Sequence, residues 1–145
     1  MAEIPEILLV DDDDAISRLI EMNLRRNGLL KVSRAANGRQ GLEQLEQIAR
    51  QGQEAHLVIL LDLRMPVMDG LEMLRHLRAQ PGRRQIPVII LTTSDNPDEA
   101  EECYASGCSF FMRKPVEYKQ FTENVKSLAD FLKSCLIPKL RSRHD

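Results

Sequence analysis

Four aspartates stand side by side, Asp11, Asp12, Asp13 and Asp14, directly after the apolar run ILLV. Another, Asp62, follows LVILL. Thr92 closes VIILT, and Lys114, next to Pro115, follows SFFMR. Carboxylates, a hydroxyl and an ammonium are the groups that handle a phosphoryl group. Carboxylates gathered in one place repel, and some would be held protonated. A hard divalent cation relieves this: Mg2+ takes oxygen ligands, usually one or two carboxylates plus a phosphate oxygen. Lysine offers a point charge to one phosphoryl oxygen and threonine a hydroxyl donor to another. A carboxylate can also be the covalent nucleophile. The residues alone therefore suggest phosphoryl chemistry on a carboxylate, with Mg2+ as the cofactor.

These groups share a site only if the chain places them together. Five short apolar runs recur: ILLV at 7–10, LKVSRA at 30–35, LVILL at 57–61, VIILT at 88–92 and SFFMR at 109–113. Three of them are nearly continuous, as strands covered on both faces are. Helix-period stripes lie between them. Ile16, Leu19, Ile20 and Leu24 stop at Gly28. Leu42, Leu45, Ile48 and Ala49 stop before Gly52, and Leu71, Leu74 and Leu77 stop at Pro81-Gly82. Asn96 and Pro97 open a fourth helix that Gly107 ends, and a fifth is predicted from about 118 to about 137. Strand–helix alternation implies an α/β fold with a doubly wound parallel sheet. In such sheets ligands bind at the carboxyl ends of the strands. Four of the strand ends carry Asp11-Asp12, Asp62, Thr92 and Lys114, so one shared site is expected.

The composition excludes other classes. The chain has 145 residues, 43% hydrophobic and 29% charged, and a net charge of −2. That is a globular domain without the cationic excess of a nucleic-acid binder. No apolar run is long enough to span a membrane. Cys103, Cys108 and Cys135 match no zinc spacing, and reduced thiols point to the cytoplasm. His56, His76 and His144 are scattered, with none beside a nucleophile. No linker is visible, so 1–145 is expected to be one domain without an output module.

ILLVDDDDA, VILLDLRMPVMDGLEML, VIILTTS and FFMRKP resemble, in order and spacing, the receiver domain of two-component response regulators. The resemblance implies a flavodoxin-like (βα)5 fold with strand order 2-1-3-4-5. It makes Asp62 the phospho-acceptor. Asp12 becomes a direct Mg2+ ligand, Asp11 one acting mainly through water, and the Arg64 backbone carbonyl a third protein ligand. Thr92, the Thr93 backbone N–H and Lys114 would bind the phosphoryl group. Thr93 stands where many receivers have a smaller Ala or Gly. Thr92 and Phe111 would be the switch pair, working by packing because Phe111 lacks tyrosine's hydroxyl. Pro115 matches a proline that is often cis, and Pro66 and Gly70 match the loop after the acceptor. The donor would be a histidine kinase. Asp13 and Asp14 read instead as charges at a helix N-terminus, and Asp69 as a turn or cap residue.

The last helix bears a core stripe of Phe121, Val125, Leu128 and Leu132, widened by Phe131, Cys135, Leu136, Ile137 and Leu140. Surplus apolar surface marks an interface or a tail that folds back on its own domain. The tail resembles single-domain regulators that partner bacterial and cyanobacterial phytochrome kinases. That resemblance implies a homodimer through the fourth and fifth helices and the fifth strand, with Phe121, Phe131, Cys135, Leu136, Ile137 and Leu140 as interface candidates.

Two other readings stay open. A haloacid-dehalogenase-like phosphatase would use Asp11 as its nucleophile, with Asp13, Thr92 and Lys114, but leaves Asp62 without a role. A receiver could also serve as a phosphate sink or relay without a direct target.

Overall fold

The computed structural model describes residues 4–51 and 55–140. The apolar runs form β1 (Glu6–Val10), β2 (Val32–Ala35), β3 (Leu57–Leu61), β4 (Val88–Thr92) and β5 (Phe110–Arg113). They pair in parallel in the order β2-β1-β3-β4-β5. Every residue of β3 and β4 is buried, which explains why those two runs lack polar alternation. β2 and β5 are the edges and are partly exposed.

Alternation along the strands divides the interior into two cores. Ile7 and Leu9 face α1 (Asp14–Arg26) and α5 (Tyr118–Ser134), packing with Ile20, Leu24, Phe121 and Leu128. Leu8 and Val10 face the opposite layer of α2 (Gly38–Arg50), α3 (Gly70–Ala79) and α4 (Pro97–Ala105), with Leu45, Leu74 and Cys103. Each such Leu or Ile taken fully out of water stabilises the fold by roughly 1.5–3 kcal/mol.

Helix starts follow side-chain chemistry. Asp13, Asn37, Asp69 and Asn96 each accept a backbone N–H of the first turn with their side chains. Gly28 and Gly107 take positive φ just past α1 and α4, where a side chain would be strained. The expected stop at Gly52, and His144, lie outside the described residues.

Three details differ from expectation. A 3-10 turn (Pro81–Arg83) follows α3. α5 ends at Ser134, not near 137, because Cys135 turns extended and Pro138 disfavours a helical residue before it. No peptide bond among the described residues is cis, so Lys114–Pro115 is trans.

Candidate functional site

Parallel pairing puts Val10 beside Leu61 and Thr92 beside Arg113. The residues just past these strand ends therefore converge. Asp11, Asp12 and Asp62 each present a carboxylate oxygen, all within 4.8 Å of one another. Asp11, Asp12, Asp13, Asp62, Arg64, Thr93 and Lys114 line one cavity of about 470 Å3, whose apolar wall comes from Ile16, Val116 and Tyr118.

The three carboxylates are not equivalent. Asp11 is buried and both its oxygens are occupied. Oδ1 accepts the Asp13 N–H at 2.9 Å, and Oδ2 accepts from Lys114 Nζ at 2.5 Å. Asp62 has one oxygen on the Leu63 N–H at 2.9 Å, while its Oδ2 lies 3.8 Å from Lys114. Burial lifts the Asp62 carboxyl above its ordinary range. Lys114 pulls it down, Asp11 adds to the rise, and the Leu63 N–H and Thr92 hydroxyl pull it down further. Asp12 is exposed at the rim.

Lys114 is 8% exposed, so it is no ordinary surface lysine. Thr92 is 1% exposed, and its hydroxyl engages the Asp62 carboxylate and accepts the Ser94 N–H at 3.4 Å. Thr93 is exposed at the cavity lip.

The loop after Asp62 is built on close backbone contact. A Cβ on Gly70 would fall 2.1 Å from the Asp62 carbonyl oxygen, so any side chain there would displace the acceptor backbone. Met68 donates its N–H to the Pro66 carbonyl at 2.7 Å, with Val67 between them at φ 68°. This is a tight turn with a β-branched residue in the left-handed region, a strained arrangement.

The fold thus brings the expected Asp11, Asp12, Asp62, Arg64, Thr93 and Lys114 into one cavity, with Thr92 against Asp62. Asp13 and Asp69 are caps, as expected. Asp13 turns to the α1 N-terminus, and Asp62, which the phosphatase reading leaves without a role, stands inside the acid cluster.

Phe111 is half-buried and packs against the α2–α3–α4 core. The interface candidates divide. Phe131 and Leu136 are exposed and Cys135 partly so. Phe121, however, is buried in the α1–α5 core, and Ile137 and Leu140 pack on the two opposite cores. Burial corrects the reading of Phe121 as an interface residue, while Ile137 and Leu140 stay partly exposed. The segment after α5 folds back under the sheet, with the Ile137 carbonyl 2.7 Å from His56 Nδ1 and the Leu140 N–H donating to the Ala55 carbonyl at 2.7 Å.

Three groups escaped the sequence reading. Phe110 stacks edge-on against Phe131 with centroids 6.1 Å apart. Tyr104 accepts the Phe111 N–H at 3.1 Å. Arg78 donates to the carbonyls of Gly107, Arg83 and Ile86. The half-exposed aromatics in β5 and α4 were visible as residues, but no spacing rule pairs them.

Comparison with known proteins agrees with this geometry. The model of the response regulator receiver domain matches residues 7–126. A receiver domain from Rhodospirillum rubrum superposes with TM-score 0.86 at 31% identity, covering 94% of this chain and 99% of that one. The phosphorylated cyanobacterial phytochrome response regulator RcpA gives 0.84 at 28% identity over 94% and 99%. The Mn2+-bound response regulator Rcp1 gives 0.81 at 27% over 92% and 99%. The response regulator PleD of Caulobacter vibrioides is 35% identical over 137 residues, 94% of this chain, but the chain spans only 28% of that protein. With its acid cluster, its lysine and its strand order all in place, the chain belongs to the response regulator receiver domain family.

Proposed function

We propose that this receiver accepts a phosphoryl group from a histidine kinase on Asp62, with Mg2+ bound, and works as a switch rather than as a metabolic enzyme. The observation that carries this is the convergence of Asp11, Asp12 and Asp62 within 4.8 Å beside a buried lysine. In the transfer, an Asp62 oxygen attacks phosphorus, the P–N bond of the phosphohistidine breaks, and the imidazole nitrogen keeps the electron pair.

The donor set fits a hard cation. An oxygen-only cluster suits Mg2+, and the repulsion that helps raise Asp62 is what a cation relieves. Asp12 and Asp62 would be its direct ligands with the Arg64 carbonyl. Asp11, hydrogen-bonded to the Asp13 N–H and to Lys114, would contribute mainly through water. When bound, Mg2+ supplies charge neutralisation between donor and acceptor. Lys114 holds a positive charge in a poorly solvated pocket, where it acts strongly. Thr92 and the Thr93 N–H offer donors to the phosphoryl oxygens. Drawing Thr92 toward them vacates space beside Phe111 and shifts a two-state equilibrium at the α4–β5–α5 face.

RcpA and Rcp1 support a phytochrome kinase as the input. A homodimer through α4, β5 and α5 is supported by an apolar groove lined by Ile89, Phe110, Met112, Leu128 and Phe131, with Leu136 at 92% exposure nearby in sequence. In the cytoplasm such a protein would pass its state to a target, or drain or relay phosphate. The test is transfer of radiolabelled phosphate from an autophosphorylated phytochrome kinase. Label should move to the parent and not to Asp62→Asn; label on both would defeat the assignment. Light scattering should give a dimer that Phe131→Asp turns into a monomer. A monomeric parent, free and beryllofluoride-bound, would refute the dimer.

A further inference from the structure

α4 has the weakest apolar attachment of the five helices. Only Cys103 of its nine residues is buried, whereas each other helix buries four or five. Its position is therefore set by polar links. Glu102 pairs with Arg75 at 2.9 Å and the Tyr104 hydroxyl accepts from β5. In the first turn, Glu99 Oε1 accepts from Arg64 at 2.5 Å and from the Ser94 hydroxyl at 3.2 Å. Both partners belong to the acid site. Arg64 follows Asp62 by two residues and lines its cavity, and the Ser94 N–H donates to Thr92 Oγ1. A chain of polar links thus runs from Asp62 through Thr92, Ser94 and Glu99 to Arg64.

We propose that Glu99 is a latch on Arg64. With Asp62 unmodified, Glu99 holds the guanidinium on α4. A phosphoryl group on Asp62 takes the guanidinium over and frees the first turn of α4. The proposal rests on Asp62 as the acceptor.

Two observations favour the exchange. Arg64 and Lys114 are the cations lining the cavity, and Lys114 is already held by Asp11 at 2.5 Å. The Arg64–Glu99 pair is also solvated, with side chains 71% and 24% exposed. Such pairs bind weakly, so a phosphoryl group with several oxygens for the guanidinium fork displaces a single carboxylate oxygen. Release leaves Ser94 as the first turn's remaining side-chain tie to the site, and an element with so little buried apolar surface opens readily.

Hydrogen–deuterium exchange across residues 97–105 tests this, with and without beryllofluoride and Mg2+. Fluorine NMR would report beryllofluoride binding independently. In the parent, beryllofluoride should speed α4 exchange by about threefold or more, the response of a locally opening element. Glu99→Gln and Arg64→Gln should both show the fast rate without beryllofluoride and change little on its addition. Parent-like protection in Arg64→Gln overturns the latch. So does fast exchange in Glu99→Gln alone, because that result assigns Glu99 to the helix dipole. If the parent binds beryllofluoride through Asp62 yet α4 exchange is unchanged, the latch fails while the acceptor reading stands. If the parent binds none, the acceptor reading falls and the latch with it.

Discussion

Lys114 Nζ sits 2.5 Å from Asp11 Oδ2, closer than to Asp62, whose nearest oxygen is 3.8 Å away. The free receiver therefore holds its buried ammonium on Asp11 rather than on the acceptor. A phosphoryl group on Asp62 would have to compete with Asp11 for that ammonium.

The Lys114–Asp11 pair is buried on both sides, with side chains 8% and 2% exposed. Removing one partner strands a charge, which costs about 3–5 kcal/mol. Urea unfolding of Lys114→Met should show a loss in that range. Adding Asp11→Asn should recover much of it, giving a coupling of about 2 kcal/mol in a double-mutant cycle. Additive losses would mean that the pair does not exist in solution.

Asp62 titrates above its ordinary carboxylate value of 3.8, chiefly through burial. Between the unfolded and the higher folded value, the folded state binds more protons, so stability falls as pH rises through that window and then levels off. Asp62→Asn removes the penalty. Without Mg2+ at pH 7 it should be more stable than the parent, and the pH-dependent part of that gain should disappear below pH 3.8. Mg2+ should raise the parent's Tm by mass action and leave that of Asp62→Asn nearly unchanged. Thermal melts across pH check both signs.

Val67 holds φ 68° and is 72% exposed, so it loses backbone comfort without gaining burial. Val67→Gly should stabilise the protein by about 1 kcal/mol, the left-handed penalty less glycine's entropy. Gly70→Ala should do the reverse, because its Cβ would meet the Asp62 carbonyl oxygen at 2.1 Å. A loss of about 2 kcal/mol or more is expected, the scale of overpacking. Equal midpoints for Val67→Gly and the parent would show that the turn is relaxed in solution.

The cysteines should separate by reactivity. Burial, with the neighbouring Cys108, pushes the Cys103 thiol up to about 11, and burial also lifts Cys108. Cys135 is partly exposed. Maleimide at neutral pH should label Cys135 first and the other two only as the protein unfolds. Fast labelling of Cys103 in peptide maps would contradict the packing of α4.

The strands and most helix ends were legible because each depends on local chemistry. The buried runs at 57–61 and 88–92 lack polar alternation, and Asn96, Pro97 and Gly107 bracket α4 as written. The site residues were legible because a parallel sheet aligns its strand ends, so position along the chain becomes position in space. What was hidden depends on pairs far apart in sequence. Nothing near Arg64 announces Glu99, and nothing near Phe110 announces Phe131. The fold-back of Ile137 and Leu140 is one of the two readings that the surplus apolar surface of the tail allows, and Pro138 marks where the helix cannot continue.

The central claim is that Asp62 takes up phosphate. Intact-mass measurement after incubation with acetyl phosphate and Mg2+ tests it most directly, with beryllofluoride binding as the control for a short-lived adduct. The account predicts one phosphoryl adduct on the parent, none without Mg2+, and none on Asp62→Asn. A parent with neither adduct nor beryllofluoride binding, or an undiminished adduct on Asp62→Asn, would contradict it.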